Sequence, residues 1–180
     1  GRPGSRGLAQ LRAERKNEYQ TLPASLQLGD DLAAALAFGP VVVISISAQQ
    51  LRQLAGQIQQ HDVAGKTFIL CMTGIEVATG KRLTQPVQLA VWVGPGHVQD
   101  FTAGVPNCMV VDSADPSTTD FIVEQLSSDL IRLYKGRDRI GTEVGAAAKN
   151  VIGIAAGMLD GAGYTSLKGA LMARGAREVA

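Results

Sequence analysis

Val41-Val42-Val43-Ile44-Ser45-Ile46-Ser47, the segment 48–60 behind it, and Lys66-Thr67-Phe68-Ile69-Leu70-Cys71-Met72 decide the fold. The first stretch is β-branched and apolar on both alternating faces. That pattern suits a central parallel strand covered on both sides better than a half-wetted one. In 48–60, Leu51, Leu54, Ala55 and Ile58 recur at helical spacing, and 66–72 repeats the doubly apolar strand pattern. Strand, helix and strand in this order make a parallel crossover unit.

Working outward, 8–19 reads as a charged surface helix with Leu8, Leu11 and the stem of Arg15 on one side, ending at or before Pro23. Asp30-Asp31-Leu32-Ala33-Ala34-Ala35-Leu36 reads as a short helix with an acidic first turn, and Gly39-Pro40 as a break. Downstream come a third strand at 88–93, a tight Gly94-Pro95-Gly96 turn and a fourth strand at 107–113. A helix at 115–129, capped by Asp115 or Ser117, and a short strand at 131–134 follow. From about Thr142 alanine, glycine and leucine dominate, in two helices at 142–159 and 166–179. The expected fold class is α/β: a partial parallel sheet in 1–138, then the start of an all-helical domain in 139–180.

Composition narrows the function. The 180 residues hold 17 Lys+Arg against 16 Asp+Glu, are 46% hydrophobic and carry a net charge of +1. This builds a core and excludes a disordered arm, and it gives no electrostatic reason for a nucleic-acid or anionic-membrane partner. Cys71 and Cys108 are too few for a disulfide framework or zinc site and read as free buried thiols of a reducing cytosol. The opening Gly1-Arg2-Pro3-Gly4-Ser5-Arg6-Gly7 lacks the apolar region of a secretory signal, and the absence of an initiating Met suits a fragment or a processed chain. The most apolar helical stretch, 151–159, falls far short of the ~20 residues that span a bilayer. The reading is a soluble, cytoplasmic protein.

Gly145, Lys149, Gly153 and Gly157 stand four apart and share one ridge of the first of these two helices. Each interior glycine costs about 1 kcal/mol relative to alanine, so three on the lysine's own face need a reason. Either they clear space around the Lys149 ammonium for a small substrate, or they permit close helix packing while Lys149 reaches solvent. Asn150 could orient a ligand hydroxyl or be an ordinary polar helix residue. Elsewhere, His61 reads as solvated and His97 as a neighbour of the Gly94-Pro95-Gly96 turn. No His/Cys/Asp/Glu set has metal-ligand spacing, so no metal is expected. Ser47 reads as a helix cap, neither Ser45 nor Ser47 lies in a Gly-x-Ser-x-Gly elbow, and Trp92 reads as core. Arg174 and Arg177 could face a phosphate or form a solvated group with Glu178.

Lys149-Asn150-Val151-Ile152-Gly153-Ile154-Ala155-Ala156-Gly157-Met158-Leu159-Asp160-Gly161 resembles the catalytic-helix signature of NAD(P)-dependent glycerol-3-phosphate dehydrogenases. Ala170-Leu171-Met172-Ala173-Arg174-Gly175 is similar to the family's following helix, and Gly94-Pro95-Gly96-His97 to its Gly-Pro turn. The segment 134–141, followed by Glu143, resembles its approach to the helical domain, and Cys71-Met72-Thr73-Gly74-Ile75-Glu76 its Lys-Gly-Ile-Glu loop. The resemblance implies a Rossmann-type domain for NAD or NADP and a helical domain closing over dihydroxyacetone phosphate. It makes Lys149 the general acid/base for reduction to glycerol 3-phosphate, a phospholipid precursor. A lysine suits that task when desolvation brings its pKa from ~10.4 toward neutrality. The resemblance also puts Gly94, Gly96, Asn150 and Thr73 against substrate, and Val98 and Thr73 near the cofactor. A helical half cut short would expose apolar faces of the last two helices, so self-association, a homo-oligomer, is expected.

The chain departs from the family pattern in three places. The Gly-rich dinucleotide fingerprint is missing, since the glycines of 1–7 follow no strand. Thr73 stands where the family has a second lysine, and the sequence ends at Ala180, before the family's further Asp and Ser-Arg-Asn cluster. The stretch 83–88 is also short. These departures leave open a catalytically inactive fragment or pseudoenzyme that keeps the fold core. A related dehydrogenase for another small hydroxy acid is a further alternative.

Overall fold

The computed structural model describes residues 1–75, 77, 79 and 89–179. The expected Glu76, Gln88 and the short stretch 83–88 lie outside them. Five strands form one sheet in the order β1 (Val41–Ile44), β2 (Thr67–Leu70), β3 (Leu89–Val93), β4 (Asn107–Ser113) and β5 (Ile131–Lys135). β1, β2 and β3 are mutually parallel, as are β4 and β5, but β3 and β4 are antiparallel, with Trp92 opposite Val111. The sheet is therefore mixed rather than wholly parallel. The chain turns back through Gly94-Pro95-Gly96 and the short helix α4 (Val98–Thr102), which the sequence pattern did not signal.

Helices cover both faces. Strand alternation sends Phe68, Leu70, Val91 and Val93 to one side, where they pack with Leu36 of α2 (Leu32–Ala37), Ile58 of α3 (Leu51–Ile58) and Ala146 of α6 (Arg139–Gly161). Ile69, Ala90, Val111 and Leu133 face the other way and pack with Ile122 of α5 (Pro116–Leu126). This is why β2 reads as apolar on both faces: Phe68, Ile69 and Leu70 are all buried. β1 corrects its reading as a central strand. It stands at the end of the described sheet, and Val43 is 52% exposed.

Local chemistry sets the helix ends. The first helix, α1 (Arg6–Glu14), is shorter than the expected 8–19. Arg15 adopts a left-handed conformation (φ 55°) and its N–H caps the helix on the Leu11 carbonyl, after which Lys16 and Thr21 form an isolated antiparallel bridge. Asp31 caps α2 through the Ala34 N–H. Asp115 caps α5, and its hydrogen bonds from Ser117 and Thr118 hold its carboxyl below the usual carboxylate range. α7 (Thr165–Val179) packs back along α6. Along α6 the residues Ile140, Val144, Ala147, Val151, Ile154 and Met158 repeat at alternating steps of four and three. Val151, Ile154 and Met158 are 70%, 67% and 71% exposed.

Candidate functional site

Asp138 starts α6 by accepting the Gly141 N–H at 3.0 Å, and the helix then continues through Gly161. Where α7 returns against it, a cavity of about 590 Å³ opens as a groove. Thr142, Gly145, Lys149 and Gly153 form one wall, and Met172 and Val179 part of the other. The Lys149 side chain is exposed in this groove. A methyl at Gly153 or Gly157 would meet nothing within 4 Å, and one at Gly145 would make an ordinary 3.5 Å contact with Val179. The glycine that permits close helix packing is another one: a Cβ at Gly175 would lie 2.7 Å from Ile152 Cδ1.

A second group of residues collects where β1, β2 and β3 end. Gln49 ties the loop after β2 to the 3-10 turn Ala48–Gln50, donating to the Ile75 carbonyl at 3.1 Å and accepting the Val77 N–H at 3.0 Å. Gly74 (φ 148°) lies under Ala48, and a side chain there would press on the Ala48 methyl at 3.0 Å. Gly94 (φ 154°) sits so close to β4 that a Cβ would be 2.9 Å from Met109 Cα. Asn107 donates to the Pro95 carbonyl, and the Trp92 indole N–H points at Met109 Sδ at 3.1 Å. The Gly94-Pro95-Gly96 turn is thus held against β4. Burial pushes the Cys71 thiol up from its ordinary 9.0, whereas Cys108 is exposed, against its reading as buried.

Below α6 lies a group that sequence reasoning missed. Asp112 in β4 is 1% exposed, and its Oδ2 accepts from the Asp138 N–H at 3.1 Å and from Thr142 Oγ1 at 2.9 Å. Gly136 leaves room for this carboxylate, since a Cβ there would fall 2.6 Å from Asp112 Cβ and nearer still to the carboxyl group. A charged residue inside an apolar strand was the available signal, because buried carboxylates need partners.

Family models match most of the chain: the NAD-dependent glycerol-3-phosphate dehydrogenase N-terminus over residues 6–119, and its C-terminus over 138–180. The chain belongs to this dehydrogenase family. A glycerol-3-phosphate dehydrogenase [NAD(P)+] of Sinorhizobium fredii is 36% identical over 176 residues, which is 93% of this chain and 53% of the relative. That of Pelodictyon phaeoclathratiforme is 31% identical over 186 residues, 95% of this chain and 56% of the relative. The chain spans about half the length of the curated relatives it matches. In structure, the glycerol-3-phosphate dehydrogenase of Coxiella burnetii overlays 96% of this chain and 56% of its own, with TM-score 0.84 and 23% identity. The Saccharomyces cerevisiae protein covers 88% of this chain and 50% of its own, with TM-score 0.76 and 20% identity. These overlays establish the Rossmann-like fold.

The residues expected from the glycerol-3-phosphate dehydrogenase resemblance fall into two groups. Lys149 lines the helical groove with Gly145 and Gly153. Gly94, Gly96, Val98 and Thr73 sit at the strand tips and do not line it. Thr73 is exposed just beyond β2, and Val98, 46% exposed, opens α4. Asn150 is exposed and outside the groove lining. Arg174 pairs with Glu178 at 2.6 Å, as the solvated reading had it. Ser47 stands at the start of the 3-10 turn without a side-chain cap bond. No group of His, Cys, Asp and Glu able to hold a metal occurs among the described residues, and none of their helices is long and apolar enough to cross a membrane.

Proposed function

We propose that the chain serves an enzyme that reduces dihydroxyacetone phosphate to sn-glycerol 3-phosphate with NADH or NADPH. On this reading it works in the cytoplasm and supplies a phospholipid precursor. Residues 1–138 form part of the cofactor domain and 139–180 begin the substrate domain. The observation that carries the reading is Lys149, the cation of a groove walled by Gly145 and Gly153, inside the segment that matches the family's C-terminal model.

Lys149 is the general acid/base. Its ammonium donates a proton to the carbonyl oxygen as that oxygen gains charge, and in the reverse direction the amine takes the C2 hydroxyl proton. Gly145 and Gly153 leave room for the substrate beside Nζ, and Asn150, one residue on, orients a substrate hydroxyl. The tips of β1, β2 and β3 lie along one edge of the sheet, where open α/β sheets take their ligands. Segments 45–49, 71–75 and 94–98 there offer the exposed hydroxyls of Ser45, Ser47 and Thr73, but no Lys or Arg. That chemistry fits the nicotinamide–ribose end of NAD or NADP, which presents no anionic phosphate, beside Val98, better than its pyrophosphate. The bound nicotinamide would supply the hydride. Gly94 and Gly96 bring main chain to the substrate.

The test is consumption of NADH and of NADPH by the purified chain with dihydroxyacetone phosphate, alongside binding of glycerol 3-phosphate followed by NMR, each with Lys149→Ala. Turnover or specific binding that Lys149→Ala abolishes supports the reading. A folded chain that neither turns over nor binds is the inactive fragment or pseudoenzyme, an outcome favoured by the exposure of Lys149 and by Thr73 at the family's lysine position.

A further inference from the structure

Thr142 and Lys149 stand seven residues apart on α6, so their side chains leave the helix within about 20° of each other. Both line the groove. Whatever holds Thr142 therefore sets the direction in which Lys149 projects. Thr142 Oγ1 donates to Asp112 Oδ2 at 2.9 Å, and the same oxygen accepts the N–H of Asp138, the residue that caps α6. One sheet carboxylate thus grips both the start of α6 and a side chain on the Lys149 face.

The burial of Asp112 strengthens the argument. Its Oδ1 is buried and has no hydrogen-bond partner among the described residues, and so is Nε of Arg139 in the first turn of α6. An apolar side chain would avoid the cost of a carboxylate held in the core with acceptor capacity unused. Such a group makes sense where a defined geometry is needed. We propose that Asp112 is a positioning residue that fixes the rotation of α6 on the sheet and so aims Lys149 into the groove. This rests on the reading of Lys149 as the substrate-facing group.

Three variants test it in the 180-residue chain. Asp112→Ala removes the acceptor, Thr142→Val removes the donor at nearly constant shape, and Asp112→Asn keeps one acceptor oxygen. The readouts are amide hydrogen exchange of residues 143–150 against that of α5, the NMR signal of Lys149 after reductive methylation, and glycerol 3-phosphate binding. Thr142→Val, which loses one hydrogen bond to a charged group, should speed exchange in 143–150 about tenfold. Asp112→Ala, which loses both the Thr142 and the Asp138 bonds, should speed it more, and both should leave α5 unchanged. Both should move the Lys149 signal in the same direction and weaken binding about tenfold, with Asp112→Asn restoring most of each effect. Equal acceleration in α5, or an unmoved Lys149 signal in Thr142→Val, overturns the proposal. If Asp112→Ala does not fold, Thr142→Val decides. If the unaltered chain does not bind glycerol 3-phosphate, the functional reading fails, and exchange and the Lys149 signal still judge the positioning role.

Discussion

Three glycine-to-alanine changes in the helical pair separate space kept for a ligand from space kept for packing. In a helix interior the change is worth about 1 kcal/mol in favour of alanine. At Gly153 and Gly157 the new methyl meets nothing within 4 Å, so the full gain should appear. For a chain of this length that is a rise in Tm of about 2–4 °C. At Gly175 the methyl lies 2.7 Å from Ile152 Cδ1 and 2.9 Å from Cγ1, an overpacking that costs about 1–3 kcal/mol. Set against the helical gain, the net should be a loss of up to about 2 kcal/mol. Gly153 lines the groove and Gly157 does not. Urea unfolding followed by circular dichroism, paired with a glycerol 3-phosphate titration, should find Gly153→Ala more stable but a weaker binder. Gly157→Ala should be more stable with binding unchanged, and Gly175→Ala less stable. A Gly153→Ala variant that binds like the unaltered chain would refute the view that this glycine keeps room beside Lys149.

Gly136→Ala should cost roughly 3–5 kcal/mol in urea unfolding, from overpacking against buried Asp112 plus the loss of a hydrogen bond to its carboxylate. A loss below about 1 kcal/mol would contradict the described packing. Cys71 has its thiol pKa raised in the folded state, so the folded chain holds that proton more tightly than the unfolded one. Its contribution is complete below pH 9 and is lost as pH rises through the folded value, so stability should fall faster there than in Cys71→Ala. Equal slopes in pH-dependent melts would count against it, and iodoacetamide should modify exposed Cys108 first. The stripe of exposed Ile140, Val144, Val151, Ile154 and Met158 should make the 180-residue chain self-associate, with a light-scattering mass that rises with concentration and drops in Ile154→Lys. A monodisperse monomer throughout would end that idea.

Much of the fold is legible because its signals are local. The doubly apolar 66–72 becomes β2, 107–113 matches β4 residue for residue, and Asp115 caps α5. Strand direction is not local. The reversal between β3 and β4 depends on how Gly94-Pro95-Gly96 packs against Met109, a contact fifteen residues away along the chain. The place of β1 at the end of the described sheet depends on which strand pairs with it, and alternation in 41–47 is blind to that. In the site, the glycine spacing around Lys149 leaves two readings open, space for a substrate or close helix packing with Lys149 in solvent. The structure shows an exposed Lys149 lining a groove with Gly145 and Gly153. Asp112 stayed hidden because its partners, Asp138 and Thr142, lie 26 and 30 residues on.

The reversal at β3 and β4 has a consequence for how this region tolerates changes in length. α6 starts beside the end of β4, which is where β3 begins, so it sets out from the opposite end of the sheet to the tips of β1, β2 and β3. The height of Lys149 above that starting point is therefore measured by helix alone, about 10 Å for the seven residues from Thr142. A single residue inserted between them would turn Lys149 by about 100° and lift it 1.5 Å, out of the groove. The same insertion in the loop between β5 and Asp138 would change neither. Among relatives that keep this chemistry, length variation should crowd into the loops and stay out of 142–149.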